Sequence, residues 1–209
     1  MSEQKLDLAI LVSDSNMRGA MQGILSRTPA LSIRPISFRI FVHPERDPGC
    51  LLNGHNFLKP MISNFSRAIV MFDREGCGRE QQAREPIETD VSRRLAESGW
   101  DNRAKAIVLD PELEIWVWSD SPEVDRCLGW QHRTPSLRNW LNEQGIWAHG
   151  APKPLDPKKA MELALRAAKK PRSSSIYRKI AETVSLRRCA DPSFKRLTEI
   201  LQQWFPPLN

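Results

Sequence analysis

Apolar and polar positions change their pattern near residue 120. Before it, short apolar runs alternate with helical stripes. Leu6–Val12 is almost continuously apolar, the mark of a strand covered on both faces. It ends in Ser13-Asp14-Ser15-Asn16, a helix-start signal, after which Met17, Ala20, Met21, Ile24 and Leu25 fall on one helical face. Residues 33–42 alternate as a second strand, and Pro35 within them favours an edge or a bulge. Residues 43–56, rich in Pro, Gly and Asn, read as a loop, and residues 57–65 as a short helix. Residues 67–72 form a third buried strand, residues 87–98 a helix closed by Gly99, and Ala104–Leu109 a fourth strand. This order predicts an α/β fold, a mainly parallel four-stranded sheet with helices on both faces.

Beyond residue 111 the pattern is helical. Residues 112–119 predict a short Trp-rich helix, and residues 122–147 short helices interrupted at Pro135 and Gly145. The proline-rich stretch 151–157 is a stiff linker. Three helices follow, at 158–170, 174–184 and 192–205, the last with Phe194, Leu197, Leu201 and Trp204 on a core-facing stripe. The chain therefore divides into an α/β core, residues 1–120, and an α-helical C-terminal region, residues 121–209, packed on it.

Charge follows the same division. Residues 1–120 carry 15 Lys+Arg against 17 Asp+Glu, a net of −2, and residues 121–209 carry 16 against 8, a net of +8, so the second region accounts for the formal +6 of the chain. A polyanion is the natural partner of such a region, and nucleic acid the leading one. Lys159, Arg166, Lys169, Lys170, Arg178 and Lys179 are the expected contacts, the first four on one helix face. Four cysteines without paired spacing exclude a zinc finger and a disulfide framework, and fit a reducing cytoplasm. No apolar run reaches the roughly 20 residues of a membrane span, so no membrane partner is expected. Met1-Ser-Glu-Gln-Lys5 runs into the first strand without a signal peptide's apolar region.

Candidate chemistry sits where strands end. Ligands of parallel sheets collect at the carboxyl ends of the strands, and three of these ends carry acids: Asp14; Asp73-Arg-Glu75; and Asp110 with Glu112 and Glu114. In extended chain an Asp-x-Glu pair points both carboxylates to one side. With a carboxylate from a neighbouring strand, such a pair holds Mg²⁺, which stabilises charge on phosphate and activates water. The structural alternatives are specific too. Asp14 can simply cap the helix behind it, Glu112 and Glu114 suit a helix start, and the tryptophans suit a core.

Five segments carry a family resemblance. Residues 9–25, Ala-Ile-Leu-Val-Ser-Asp-Ser-Asn-Met-Arg-Gly-Ala-Met-Gln-Gly-Ile-Leu, are similar to the first strand and helix of the TOPRIM domain of topoisomerases, primases and several defence nucleases. Ala68-Ile-Val-Met-Phe-Asp-Arg-Glu-Gly76 resembles its Asp-x-Asp strand. Residues 107–120 resemble a Glu-x-Trp segment of small TOPRIM-like proteins found in bacterial defence loci, as do Ser175-Ile-Tyr-Arg-Lys179 and Pro192-Ser-Phe-Lys-Arg196. The narrowest likeness is to the small TOPRIM-like subunit of a methylation-associated phage-defence system. It implies a TOPRIM-like sheet and a Mg²⁺- or Mn²⁺-dependent nuclease acting on DNA or RNA, working with other defence proteins. Asp73, Glu75, Asp14 and Glu114 would then be the catalytic and metal-holding residues. The sequence departs from the pattern at Ser13, where TOPRIM enzymes usually have Glu, and at Glu75, where Asp is usual. Glu75 is a longer arm that can still reach a metal, but the Ser13 departure and the many tryptophans suit an alternative role as a catalytically degenerate subunit that scaffolds a defence complex.

Overall fold

Each apolar run of the first region becomes a strand. In the computed structural model, which describes residues 5–208, these are β1 (Leu6–Val12), β2 (Phe38–Val42), β3 (Phe65–Asp73) and β4 (Ala104–Leu109). They form one all-parallel sheet in the order β2-β1-β3-β4, with β2 at the edge as expected, although it starts at Phe38 and leaves Pro35 outside the strand. The reading of Met1–Gln4 lies outside the described residues.

Helices α1 (Ser15–Leu25) and α2 (Thr28–Leu31) lead from β1 to β2. Helix α3 (Arg46–Leu58) leads to β3, and α4 (Arg84–Leu95) to β4. After the sheet come α5 (Glu114–Val117), α6 (Pro122–Leu128), α7 (Leu137–Glu143), α8 (Pro157–Ala167), α9 (Ser174–Thr183) and α10 (Pro192–Trp204). No helix is long and apolar enough to cross a membrane among the described residues.

Side chains that alternate along each strand feed two separate apolar layers. Leu8, Ile10, Val12, Ile69, Met71, Ile107 and Leu109 join one layer with α1 and the C-terminal helices. Ala9, Leu11, Ala68, Val70, Phe72, Ala106 and Val108 join the other with α3 and α4. Met161, Leu165, Tyr177, Leu197 and Leu201 lie in the first layer, so residues 121–209 complete the core of the sheet. Four of the seven tryptophans are buried there as well, Trp116, Trp118, Trp130 and Trp147, and the Trp118 indole N–H donates to the Pro157 carbonyl at 2.9 Å.

The readings of residues 43–56 and 57–65 are corrected: the second stretch is only the end of α3 and a single 3-10 turn, Lys59–Met61, before β3 starts at Phe65. Residues 43–56 are mostly helix, because α3 starts at Arg46 and runs through them. Pro48 falls in the first turn, where a helix has no use for its missing N–H. Gly49 and Gly54 mark close packing rather than chain reversal. A Cβ at Gly49 would lie 2.1 Å from His43 Nδ1, and one at Gly54 3.2 Å from Val70.

Glycines set the approach of α9 to α1 in the same way. A Cβ on Gly19 would meet the Ser174 carbonyl oxygen at 2.4 Å, and one on Gly23 the Arg178 carbonyl oxygen at 2.5 Å. This contact brings the C-terminal region up to the carboxyl ends of the strands.

Candidate metal centre

The strand order reverses at β1, whose chain goes on to β2 on one side while β3 and β4 lie on the other. In open α/β sheets the crevice at such a reversal is where ligands bind. Here it is a cleft of about 600 Å³ whose walls include Asp14, Asp47, Asp73, Glu75, Lys158 and Arg172.

Asp73 is the last residue of β3 and continues the Ile69–Met71 series that faces α1. Its backbone N–H donates to Asp47 Oδ1 at 2.9 Å, which ties the strand end to the first turn of α3. Beyond β4 the chain turns into α5, and this turn carries Glu112 and Glu114 inward, to 5% and 1% exposure. One carboxylate oxygen from each of Asp73, Glu112 and Glu114 lies within 4.8 Å of the other two. The structure thus joins Asp73 to Glu114, as expected, and sets Glu112 in the group instead of Glu75 and Asp14.

The reason is local geometry. An Asp-x-Glu pair stays on one side only while the chain is a strand, and β3 stops at Asp73. The N–H groups of Arg74 and Glu75 donate to the Leu109 and Pro111 carbonyls, and Gly76 then turns with φ of 81°. Glu75 is left exposed on the cleft wall. Asp14 lines the same wall, but its Oδ1 accepts the Met17 N–H at 2.8 Å and caps α1. Ser13 is buried beside it, on the cleft wall.

Each member of the group has a different set of partners. Glu112 accepts the Lys158 backbone N–H and its ammonium, both at 3.1 Å. Glu114 Oε1 accepts from the Tyr177 hydroxyl and from the Arg172 guanidinium. Asp73 Oδ1 is buried with no hydrogen-bond partner among the described residues. Burial raises the Asp73 pKa well above the usual carboxylate range, and the nearby Asp47, Glu114, Asp14 and Glu112 raise it further. Glu112 is also raised, by burial and then by Glu114, with Lys158 acting in opposition. Tyr177 is raised by burial and by Glu114, so it remains a hydroxyl donor.

A divalent cation answers this arrangement chemically. Three carboxylates, one of them with an unpartnered buried oxygen, form a hard donor set, which suits an oxygen-loving ion such as Mg²⁺, Mn²⁺ or Ca²⁺. Sequence reasoning undervalued Glu112 against Glu114 and missed Asp47, which it placed in a loop. The signal for Asp47 was Glu45-Arg-Asp-Pro48, an acidic first turn around a proline. It missed Arg172 and Lys158 as well, for nothing in a linear pattern pairs them with acids some 45–60 positions away.

The basic residues stand as follows. Lys159 and Arg166 are exposed on α8. The expected shared face does not extend to Lys169 and Lys170, since α8 ends at Ala167 and Lys169 takes a positive φ of 53° in the turn beyond. The Lys170 ammonium donates to the Cys127 carbonyl at 2.9 Å, and Arg178 pairs with Glu182 at 2.7 Å. Lys179 is exposed on α9. No family model, curated protein or solved structure matches the chain.

Proposed function

We propose that the chain is a TOPRIM-like, Mg²⁺- or Mn²⁺-dependent phosphodiesterase acting on DNA or RNA, one component of an anti-phage defence system in the bacterial cytoplasm. The observation that carries the reading is the group of half-buried Asp73 with buried Glu112 and Glu114 at the switch point of a parallel sheet, the buried Asp73 Oδ1 lacking any partner among the described residues. Asp73, Glu112 and Glu114 would hold the ion. When bound, it supplies charge neutralisation at the phosphate and a more acidic water.

The chain's own residues do the rest. Tyr177 and Arg172 fix Glu114, and Lys158 fixes Glu112, so the carboxylates are oriented before the ion arrives. Asp47 holds the backbone of Asp73. Lys159, Arg166, Lys169 and Lys179 supply exposed positive charge for a phosphate backbone, contacts that position a strand without reading its sequence. The resemblance of residues 9–25 and 68–76 to TOPRIM segments supports the reaction class and the defence setting.

The test is cleavage of labelled single- and double-stranded DNA and RNA with Mg²⁺ or Mn²⁺, with EDTA, and with Asp73→Asn. Metal-dependent cleavage lost in the variant supports the reading, and its absence on every substrate contradicts it.

A second reading rests on the ion pairs themselves. Lys158 and Arg172 already occupy Glu112 and Glu114, as they would in a scaffold whose former metal group has become an internal salt-bridge network. In that case Asp73→Asn leaves phage protection in cells intact.

A further inference from the structure

Both cations at the acidic group come from the C-terminal region, and both also line the cleft. Lys158 and Arg172 side chains are 44% and 31% exposed, whereas the Glu112 and Glu114 side chains they bind are 6% and 2% exposed. Each cation therefore touches a buried acid on one side and open cleft on the other. Two positive charges face three carboxylates. Asp73, whose Oδ1 has no partner among the described residues, is the acid left over.

We propose that Lys158 and Arg172 are exchangeable counter-ions: they hold Glu112 and Glu114 while the group lacks a divalent cation, and turn to a substrate phosphodiester in the cleft once that cation has taken the carboxylates. The inference rests on the metal-dependent reading above and adds to it the residues that grip the phosphate.

Three considerations support the exchange. Buried carboxylates without counter-ions are strongly destabilising, so the metal-free protein needs cations at these two positions. A lysine stem is flexible and its ammonium is a compact charge, so Lys158 can swing into the cleft from its first-turn position on α8. Glu112 then keeps the Lys158 backbone N–H at 3.1 Å. Arg172 is steadied on its other nitrogens, with Nε donating to the Tyr177 oxygen at 2.7 Å and a second contact to Glu162 at 3.3 Å, so it pivots in place. Metal and phosphate then help each other, since the phosphate gives the displaced cations a new partner. By linkage that coupling is reciprocal.

Calorimetric titration of the full chain with Mn²⁺, with and without a short oligodeoxynucleotide, tests this on wild type and Lys158→Gln. Removing one full charge a few ångströms from the ion should tighten Mn²⁺ binding by about tenfold or more. The oligonucleotide should tighten Mn²⁺ binding to wild type and do so much less in Lys158→Gln. Equal or weaker Mn²⁺ binding in the variant overturns the exchange and leaves the metal site standing; no Mn²⁺ binding to either protein overturns both. A crystal structure of the wild type with Mn²⁺ is an independent check that does not depend on the variant folding. Lys158 Nζ parted from Glu112 Oε2 agrees with the exchange, and the pair still at its present 3.1 Å beside bound Mn²⁺ refutes it.

Discussion

Two aspartates mark the opposite ends of the same sheet, and their surroundings differ in nearly every respect. Asp7, near the amino end of β1, is held by the Arg34 guanidinium at 2.5 and 3.3 Å, by the Ser37 N–H at 2.8 Å and by the Ser37 hydroxyl at 3.0 Å. The Arg34 contact, with the Ser37 contacts behind it, lowers its pKa despite burial. Asp73, at the carboxyl end of β3, has a buried oxygen without a partner among the described residues, and burial and acidic neighbours raise its pKa well above the usual range. The amino end uses its carboxylate to tie loops to the sheet. The carboxyl end gathers carboxylates that destabilise one another. Like charges brought together in a protein interior mark a candidate site for an ion or a reaction.

The largest effect expected from breaking this contrast is at Asp73. Asp73→Asn should abolish divalent-metal binding and any cleavage that depends on it. In EDTA the same variant should melt higher near pH 7, by about 2–4 °C if relief of the buried charge is worth about 1 kcal/mol. The sign follows from linkage. With the folded pKa raised, the folded state holds a proton that the unfolded state has released, so stability falls as pH rises from about 4 towards the folded value. The advantage of Asn should shrink as the pH is lowered to about 4, and melting curves across that window check it.

Gly23→Ala should disturb the carboxyl end while sparing the Asp7 end. Its methyl group would collide with the Arg178 carbonyl and with Ala181 at 2.5 and 2.7 Å, pushing α9, and with it Tyr177, away from Glu114. Destabilisation of about 1–3 kcal/mol is the usual scale of such overpacking, measurable by urea unfolding, and metal affinity should weaken along with it.

Asp7→Asn makes the opposite case. It should cost about 1–2 kcal/mol at pH 7 through weakened charge-assisted hydrogen bonds to Arg34 and leave metal binding unchanged. Because the folded pKa of Asp7 is lowered, this contribution is present above the ordinary carboxylate pKa and is lost as pH falls through the folded one. The cost of Asn should therefore disappear in acid, the reverse of Asp73→Asn.

The smallest expected change is in nucleic-acid binding. Replacing Arg166 and Lys169 together by Glu should weaken binding across all sequences and reduce the log–log salt slope by about 2, roughly one per lost phosphate contact. Fluorescence anisotropy at several salt concentrations reads this directly.

The sheet was legible in the sequence because β1, β3 and β4 are buried on both faces and appear as nearly continuous apolar runs, while the half-buried edge strand β2 alternates. The C-terminal helices were legible from their amphipathic stripes. Helix α3 was not, since Pro48, Gly49 and Gly54 look like loop residues until their neighbours, His43 and Val70, are in place. The candidate site was half legible. Asp73 and Glu114 could be found from strand ends, but whether Glu75 or Glu112 joined them depended on β3 stopping at Asp73 and on the turn after β4. Lys158, Arg172 and Tyr177 reach the group only through the packing of α8 and α9, which no local pattern encodes.

The central claim, that the carboxyl end of the sheet holds a divalent cation on Asp73, Glu112 and Glu114, is tested most directly by anomalous diffraction from crystals grown with Mn²⁺. The account predicts one strong peak within coordination distance of all three carboxylates, absent from Asp73→Asn crystals. Crystals with no peak there, or with a peak that persists in Asp73→Asn, would contradict it.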